Sequence, residues 1–442
     1  MPARRLRPSW LALLACGLAP VACIFQPLPE DLGVCEEAPE DLAPKTGVTY
    51  YKDVKPLLDA SCVSCHQDGG IAPFALTTYD DAYAARGLIG HATAARTMPP
   101  WPPSDCCAEY VHDRSLSLDE IAMIAGWVED DGPAGDPADE PPPLSTPPGL
   151  SRVDLELEMP EAYSPAPGLY NGDDLRCFLI DWPETELRYV TGLDVHPGNR
   201  DLVHHAVVYA VSSTSASLYK SYDDASAEPG WSCPGGLAEG SDTVLGLWVP
   251  GTDGFDFPAG LGRPVEPGST VVLSVHYRPS QDGASTSDQT AVAFKLDDAV
   301  DTVVRPYAVY NPAWPLGGMA IPAGAEDQVF TYAYDPTLLS GGPLLIHNAQ
   351  LHMHEYGASA ALAIERADGS LDCLLAIEDW DYNWQGEYYF KEPIRLEQGD
   401  KLKVECHFDN SAANQQSGEE PKPLNWADDK EMCIGTVLVS DI

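Results

Sequence analysis

A proline-rich spacer divides this chain into two parts with different secondary-structure patterns. Residues 132–149 read GPAGDPADEPPPLSTPPG, and prolines this closely spaced favour a semi-rigid, extended linker. Before the spacer, apolar residues recur at helical spacing; after it, short strand-like runs are separated by Gly, Pro, Asn and Asp. The sequence therefore predicts a small all-α domain over residues 47–131, a linker over 132–151, and a mainly-β region from 152 to 442.

The region after the spacer contains many short runs of β-branched and apolar residues. They include LRYVTGLDV, AVVYAV, STVVLSVHY, TAVAFKL, ASAALAIE and KLKVECHF. Runs of this kind between turn residues are typical of antiparallel sandwiches, and about 290 residues exceed the length of one sandwich. We predict two antiparallel β-sandwiches of jelly-roll-like type, over residues 152–318 and 319–442, with no long amphipathic helix between their strands.

A haem-attachment motif stands in the all-α part. Residues 62–66 read CVSCH, and a C-x-x-C-H run is the attachment signature of c-type haem. Its two thiols add to the vinyl groups and its histidine ligates the iron. A disulfide or a redox-active C-x-x-C would not need the histidine that follows. We therefore predict one haem c bound by Cys62, Cys65 and His66 in a small cytochrome c-like domain.

The second axial ligand of this haem has three candidates. Met98 lies in TMPPWPP, where the prolines hold the backbone extended in a loop that can fold over a haem. His91 is an alternative, but it lies within a helix predicted over Tyr79–Ala95. Met123 lies within the next helix, which opens with the capping-box sequence SLDE at 117–120. The loop position favours Met98.

The N-terminus is typical of an export signal. Three arginines among the first seven residues precede an apolar run over Trp10–Ala22, which is too short to span a bilayer. Residues 1–22 are therefore predicted to be a signal, followed by a tether over 23–46. Cys16 in LLAC and Cys23 in PVAC both resemble bacterial lipoprotein processing sites. The leucine three residues earlier favours Cys16 as the lipidated residue; Cys23 and plain secretion remain alternatives.

Charge and cysteine content indicate the compartment and exclude some partners. The chain has 68 acidic and 25 basic residues, a formal charge of −43 at pH 7. This charge repels polyanions, so we expect no nucleic-acid partner, and a membrane contact only through an N-terminal lipid anchor. Twelve cysteines agree with an oxidising compartment. We predict an exported protein, either periplasmic or an outer-membrane or cell-surface lipoprotein.

A His-x-His pair lies on a predicted strand near the C-terminus. His352 and His354 stand on either side of Met353 in LHMHEYG. Residues two apart on a strand project from the same face, so the two imidazoles can bind one metal ion while Met353 points away from it. Imidazole suits copper, zinc, iron and nickel. For this pair alone, the alternative interpretation is two polar side chains on the solvent-exposed face of a strand.

Three further candidate metal-binding segments lie in the mainly-β region. His204 and His205 are adjacent in DLVHHAVVYAV, His276 lies in VVLSVHYRP, and Met432 lies in DDKEMCIGTVLV. Adjacent side chains on a regular strand face opposite ways. His204 and His205 can therefore share a metal only if the strand twists locally or the rings use different nitrogens. A histidine or a methionine of the core is the alternative for each residue alone.

The order of these motifs resembles a known enzyme family. V-H-H, V-H-Y, L-H-x-H with a nearby glycine, and E-M-C follow one another across residues 152–442. This pattern is similar to that of the copper type II, ascorbate-dependent monooxygenases, which include peptidylglycine α-hydroxylating monooxygenase and dopamine β-monooxygenase. AQLHMHEYG looks closer to the dopamine-hydroxylating branch.

The resemblance implies two copper ions per chain. His204, His205 and His276 would bind the electron-transfer copper. His352, His354 and Met432 would bind the copper at which oxygen is activated. A thioether is a soft, weak ligand that favours Cu(I), whereas three imidazoles serve both redox states.

The resemblance also implies two disulfides, Cys177–Cys233 and Cys406–Cys433. It gives no partner for the remaining cysteines outside the haem motif and the signal, which are Cys35, Cys106, Cys107 and Cys373. Val211 stands where another cysteine of the family would follow the His-His motif. Gln350 stands where the peptide branch has an arginine for the substrate carboxylate, and this argues against peptidylglycine activity.

The sequence thus predicts an exported, copper-dependent monooxygenase. It would insert one atom of O2 into a C–H bond of a small organic substrate, with electrons from an external donor passing through the fused haem. A non-catalytic copper-binding or electron-transfer lipoprotein is the alternative, because ligands indicate metal binding and not turnover.

Overall fold

The structure is a computed structural model. It describes residues 43–68, 72–105, 107–142, 149–166, 173–233, 243–249, 254–279, 287–382, 384–415, 420–426 and 430–442. The predicted signal, most of the predicted tether and the expected lipidation at Cys16 lie outside these residues, as do Cys23, Cys35 and Cys106. Among the described helices, none combines the length and apolar character needed to cross a bilayer.

Three helices precede the linker, as the spacing of apolar residues predicts. They are α1 Lys55–Ser61, α2 Tyr79–Ala94 and α3 Leu118–Glu129. The predicted capping box of α3 is confirmed: Ser117 Oγ accepts from the Glu120 amide, and the Glu120 carboxylate accepts from the Ser117 amide. Helix α2 starts with a second capping box, between Thr78 and Asp81.

The helical region packs around the indole of Trp127, which is fully buried and donates from Nε1 to the carbonyl of Pro133 at 3.1 Å. Helix α3 also touches the backbone of the preceding segment. The Lys45 amide donates to Ala122 O at 2.9 Å, and a Cβ added at Gly126 would lie 1.7 Å from Lys45 O. This close approach requires a glycine.

The N-terminal sandwich contains eleven described strands: β1 Leu155–Glu158, β2 Asp174–Asp181, β3 Arg188–His196, β4 Val203–Val211, β5 Trp231–Ser232, β6 Thr243–Trp248, β7 Phe255–Asp256, β8 Leu261–Val265, β9 Thr270–Tyr277, β10 Ala291–Asp297 and β11 Thr302–Val303. One sheet has the order β5-β2-β9-β4-β6; the other has the order β1-β10-β3-β8-β11, with β7 paired to β3. One hydrophobic cluster joins both sheets, with Phe178 and Leu273 from the first and Val190 and Phe294 from the second. The sheets therefore pack face to face.

A helix, α4 Ser213–Ala225, follows β4 and is not predicted by the sequence. Its run STSASLYKSYDDA has few apolar residues, so no apolar stripe marks it. Tyr219 is its one buried residue, with its ring stacked 6.1 Å from Trp231. The same small cluster contains Cys177 and Cys233, which form the disulfide that the resemblance implied.

The C-terminal sandwich contains ten described strands and one short helix, α5 Thr337–Ser340. The strands are β12 Arg305–Val309, β13 Ala320–Ile321, β14 Gln328–Tyr334, β15 Leu344–His352, β16 Gly357–Glu365, β17 Leu371–Ile377, β18 Tyr388–Leu396, β19 Lys401–Phe408, β20 Leu424–Asn425 and β21 Ile434–Asp441. Two four-stranded sheets have the orders β12-β21-β15-β18 and β14-β19-β16-β17, and β13 pairs with β20. Because β12 pairs with β21, the second sandwich begins at Arg305 and not at the predicted residue 319.

A buried ion pair joins the two sandwiches. Arg263 of β8 is 0% exposed, and its Nη2 lies 3.0 and 3.1 Å from the carboxylate oxygens of Glu387. The same nitrogen donates to Tyr389 Oη at 2.6 Å, and Nη1 donates to Val244 O at 2.9 Å. Tyr389 also stacks on Phe257 of the first sandwich at 5.7 Å. These contacts hold the sandwiches in a single arrangement.

A segment of the N-terminal region lies on the C-terminal sandwich. We name residues 101–105 and 107–112, between α2 and α3, the docking segment. Its backbone hydrogen-bonds to two strands: the Ser104 amide donates to Ala376 O, and the Val111 amide to Tyr389 O, both at 2.8 Å. The docking segment therefore contacts the end of β17 and the start of β18.

A disulfide closes the docking contact. Cys107 pairs with Cys373 of β17 across 266 residues of sequence, a pairing for which the sequence offers no indication. Nearby, the Tyr110 hydroxyl donates to Leu374 O at 2.8 Å, and its ring is buried in the core of the C-terminal sandwich. The helical region is therefore attached to this sandwich through both covalent and apolar contacts.

Candidate metal centres

The first centre combines three histidines from two neighbouring strands of the N-terminal sandwich. His205 of β4 is the cross-strand partner of His276 of β9. The β4–β9 register shifts between Val203 and His205, and such an irregularity changes the direction of the side chains beside it. As a result, His204 Nδ1 lies 3.1 Å from His205 Nδ1, and one ligand atom from each of the three histidines lies within 4.8 Å of the others.

Polar partners orient the rings of this three-histidine cluster. His276 is 3% exposed, and its Nε2 lies 2.7 Å from Asp173 Oδ2. Because the carboxylate accepts the Nε2 proton, Nδ1 of His276 keeps its lone pair. Tyr382 Oη lies 3.2 Å from this Nδ1, and the Tyr382 ring stacks on His204 at 5.5 Å.

The second centre lies at the end of β15, where His352 Nε2 and His354 Nε2 are 3.1 Å apart. Gln385 Oε1 accepts from His352 Nδ1 at 2.6 Å, and Lys430 O accepts from His354 Nδ1 at 3.3 Å. These acceptors assign the protons to the two Nδ1 atoms and leave both Nε2 lone pairs for a metal. Met353 is fully buried among core residues, on the opposite face, as predicted.

The backbone of Met432 lies near this pair, because the preceding residue, Glu431, accepts from the His354 amide at 2.9 Å. Strands β15 and β21 are antiparallel, with His352 opposite Ile434. His354 lies two residues after His352 and Met432 two residues before Ile434, so both lie just beyond the paired ends of these strands. Met432 is 6% exposed, so its thioether lies in a nearly water-free environment.

The segment that carries Met432 is held on both sides. The Glu431 carboxyl group accepts from the amides of His354 and Tyr356 at 2.9 and 2.6 Å, and burial raises the pKa of Glu431 to about 8. Cys433 forms a disulfide with Cys406 of β19, the second pair that the resemblance implied. Met432 thus has fixed residues before and after it.

The two centres lie close together across the interface between the sandwiches. The pKa of His205 is well below its ordinary value, first because of burial and then because of His276 and His204, with further contributions from His352 and His354. Burial also lowers the pKa of His354, to about 3. His205 and His354 are therefore neutral at pH 7, which is the form that binds metals.

Asp173, Tyr382 and Gln385 are site residues that the sequence does not reveal. Tyr382 and Gln385 lie on the loop between β17 and β18, and Gln385 Nε2 donates to Tyr382 O at 3.1 Å. They reach the histidines only through tertiary packing, and no spacing rule links a loop tyrosine to a histidine 106 residues earlier.

The donor sets of the two centres fit copper. The first offers three imidazole nitrogens and the second two, and the Met432 thioether is the predicted third donor of the second. Imidazole and thioether are ligands that copper accepts, whereas magnesium and calcium prefer oxygen. The structure brings together His204, His205 and His276 at the first centre and His352 with His354 at the second; Met432 as a ligand of the second centre stays a prediction.

The CVSCH motif lies directly after α1. Cys62 and Cys65 are both half-buried thiols, and burial raises the pKa of Cys62 to about 12. His66 Nδ1 donates to Phe74 O at 3.0 Å, which leaves Nε2 available to an iron. Met98 is 39% exposed and follows α2 in a loop. The residues of the motif therefore fit a c-type haem.

The predicted competitors of Met98 as axial ligand both lie in helices. His91 is in α2, and Met123 is in α3. A ligand in a loop can approach the open side of a haem without unwinding a helix, and the assignment of Met98 as axial ligand stays a prediction.

The C-terminal sandwich matches a family of copper enzymes. Residues 318–438 match the model of the family "Copper type II ascorbate-dependent monooxygenase, C-terminal domain". This stretch includes His352, His354 and Met432, the residues of the second centre.

Individual relatives extend the similarity into the first sandwich. DBH-like monooxygenase protein 1 from Homo sapiens is 25% identical over 268 residues, which cover 55% of this chain and 40% of that protein. The Mus musculus protein of the same name is 26% identical over 267 residues, with 55% and 40% covered. DBH-like monooxygenase protein 2 from Mus musculus is 25% identical over 233 residues, with 48% and 34% covered. The chain thus spans about two-fifths or less of the length of these curated relatives.

A solved structure with partial similarity is the major capsid protein P2 from Bacteriophage PM2. The alignment covers 65% of this chain and 97% of that chain at 9% identity and a TM-score of 0.26, too low to indicate a shared fold. The family match and the relatives together show similarity to copper type II monooxygenases, with the family model confined to residues 318–438.

Proposed function

We propose that this protein is a copper-dependent monooxygenase that hydroxylates a C–H bond of a small organic substrate with O2. One oxygen atom enters the C–H bond and the other leaves as water, with two electrons and two protons consumed. The observation that carries the proposal is the pair of histidine centres, one on each sandwich, which Tyr382 contacts on both sides.

The two donor sets are suited to different tasks. Three imidazoles at His204, His205 and His276 accommodate both redox states of copper, which suits storage and release of an electron. The set of His352, His354 and Met432 includes a thioether, which favours the reduced ion that meets O2. Copper bound at these two sites supplies single electrons and the activation of O2.

The chain's own residues orient and shield the ligands. Asp173, Gln385 and the Lys430 carbonyl each accept a hydrogen bond from one ring nitrogen, which leaves the other nitrogen of that ring for the metal. Such partners fix the tautomer and direction of a ligand ring. Burial of His276 and Met432 limits access of water, which protects reactive species from side reactions.

The helical region is proposed to deliver the electrons. Cys62 and Cys65 would attach a haem c, with His66 and Met98 as its axial ligands; the bound haem would transfer one electron at a time from an external donor. The docking segment starts three residues after Met98 and is tied to the C-terminal sandwich by the Cys107–Cys373 disulfide. This attachment keeps the haem region next to the copper region.

The cellular setting of the proposed enzyme follows from its N-terminus. We expect export and an N-terminal lipid anchor at Cys16, which would leave the catalytic region outside the cytoplasm. In that compartment its disulfides are stable.

Metal and haem analysis of the purified full chain tests the assignment. Wild-type protein is expected to hold two coppers and one haem. His354→Ala and Met432→Ala are expected to hold about one copper and the same haem. His196→Ala is the matched control, because His196 is an exposed histidine of the first sandwich paired with Asp194. Equal copper loss in the control, or wild-type protein without copper, would contradict the proposal.

Two kinetic measurements separate the enzyme from an electron-transfer lipoprotein. Oxygen uptake coupled to a hydroxylated product is expected only of the enzyme. Under anaerobic conditions, stopped-flow reduction of the haem should be followed by reduction of copper, and Cys62→Ser with Cys65→Ser should abolish the haem and this second step. Reduced haem that persists beside oxidised copper would rule out the proposed electron route.

A further inference from the structure

Tyr382 reaches from the C-terminal sandwich into the three-histidine cluster of the N-terminal sandwich. Its Oη lies 3.2 Å from His276 Nδ1. Its ring is stacked on His204, with centroids 5.5 Å apart and an interplanar angle of 20°. The His354 ring of the second centre lies 6.1 Å from the same tyrosine. Tyr382 therefore contacts both centres from one loop position.

The separation between Tyr382 Oη and His276 Nδ1 matches that between the other donor pairs. Nδ1 of His204 and Nδ1 of His205 are 3.1 Å apart, and the two Nε2 atoms of the second centre are also 3.1 Å apart. Donors about 2.1 Å from one metal, at right angles to one another, lie about 3 Å apart. Tyr382 Oη thus lies at the distance from His276 Nδ1 that is expected between neighbouring ligand atoms.

The protonation of His276 agrees with this geometry. Asp173 Oδ2 lies 2.7 Å from Nε2, so Nδ1 is the nitrogen available to a metal. The phenol oxygen of Tyr382 is next to that nitrogen and not next to Nε2. When a metal binds Nδ1 of His276, the Tyr382 hydroxyl loses its hydrogen-bond acceptor but keeps its oxygen lone pairs.

The loop that carries Tyr382 is held in place. Gln385 Nε2 donates to Tyr382 O at 3.1 Å, while Gln385 Oε1 accepts from His352 Nδ1 at 2.6 Å. Gln385 is 6% exposed. A donor atom on this loop is therefore positioned by the second centre.

We propose that Tyr382 supplies a fourth donor, its phenol oxygen, to the metal bound by His204, His205 and His276. The inference rests on the proposed function, because it assumes copper at that cluster. Cu(II) prefers tetragonal coordination, in which three imidazoles leave a position unfilled. A ligand from the opposite sandwich makes the bound metal a link between the two sandwiches.

Pulsed EPR on the full chain with ring-deuterated tyrosine tests this assignment. In copper-loaded wild-type protein we expect deuterium modulation of the Cu(II) echo from a nearby tyrosine ring. In Tyr382→Phe this modulation is expected to disappear and one of the two Cu(II) hyperfine patterns to shift. Loss of a neutral donor should also weaken copper binding at one site by about threefold to tenfold, as measured by chelator competition.

Tyr334→Phe is the matched control. Tyr334 lies in the same sandwich, and its hydroxyl donates to Ala308 O at 3.3 Å, so this variant also loses one hydroxyl hydrogen bond. It is expected to keep the modulation, the hyperfine patterns and the copper affinity of wild type. Equal thermal unfolding midpoints of the two variants would show that Tyr382→Phe retains the fold.

The copper content of wild type, measured first, distinguishes the two possible failures. Wild-type protein without copper at the three-histidine cluster would overturn both the proposed function and the role of Tyr382. Wild-type protein with two coppers, whose hyperfine patterns and copper affinity survive Tyr382→Phe, would overturn the fourth-donor assignment alone, even if the deuterium modulation is lost. Tyr382 would then be only a hydrogen-bond partner of His276.

Discussion

The buried ion pair of Arg263 and Glu387 leads to a quantitative prediction about the stability of the interface between the sandwiches. In Glu387→Leu, the guanidinium of Arg263 stays 0% exposed but loses both carboxylate contacts. Breaking a buried ion pair on one side costs about 3–5 kcal/mol, because an uncompensated charge remains. Tyr389 Oη and Val244 O still accept from the guanidinium, so we expect the lower end, about 3 kcal/mol.

Removing both charges should cost much less than the sum of the single variants. Arg263→Met alone leaves the Glu387 carboxylate, whose side chain is 9% exposed, without its ion-pair partner. This variant should lower the free energy of unfolding by about 3 kcal/mol. The double variant Arg263→Met with Glu387→Leu leaves no buried charge, and we expect a loss of about 1–2 kcal/mol. The corresponding coupling energy is about 4 kcal/mol, beyond the range of independent sites.

Urea unfolding of the full chain, followed by tryptophan fluorescence, measures these losses. Asp441→Leu is a suitable control, because it breaks an ion pair with Arg305 on the surface, where the two side chains are 40% and 68% exposed. An exposed pair contributes about 0–1 kcal/mol. The reasoning would be refuted if Glu387→Leu lost no more than the control, or if the two single losses added up in the double variant.

Three other features of the structure lead to predictions. Cys107→Ser with Cys373→Ser should lower the free energy of unfolding by about 2–5 kcal/mol and speed amide hydrogen exchange in the docking segment; unchanged exchange would contradict the docking contact. The hydrogen bond to Glu405 raises the pKa of His407, so its stabilisation is present below the ordinary histidine pKa and lost as pH rises through the raised value. In urea titrations, His407→Gln should therefore lose about 1–3 kcal/mol near pH 5.5 and less near pH 8.5; an equal loss at both would exclude this linkage. Gly126→Ala should lower the thermal midpoint of the helical region, because its Cβ would lie 1.7 Å from a backbone carbonyl; an unchanged midpoint would show that this carbonyl can move.

Local patterns predicted most of the secondary structure. Helix α2 begins at the predicted Tyr79 and ends one residue before the predicted Ala95, and the capping box of α3 is present. These signals involve neighbours three or four residues apart, so they do not depend on the rest of the fold. Helix α4 was missed because only Tyr219 is buried in it, and a helix without an apolar stripe has no periodic signal.

The candidate centres were predictable only in part. The spacing of His352 and His354 indicates a shared face on any strand, and the resemblance supplied Met432 as their companion. The partners that orient the rings, Asp173 and Gln385, come from loops that no local pattern connects to the histidines. The boundary between the sandwiches was also misplaced, because the pairing of β12 with β21 is a long-range contact.

The sequence by itself determined the local chemistry: a CVSCH motif after a helix, a His-x-His pair on a strand, and a proline-rich division between helical and strand-forming regions. Each is a matter of residue type and short spacing, which chain geometry converts directly into structure. Only the tertiary structure decided the register shift that brings His204 beside His205, the attachment of the docking segment through Cys107, and the approach of Tyr382 to His276. These depend on which distant segments pack together, and that is set by the burial of whole faces and not by any one stretch of residues.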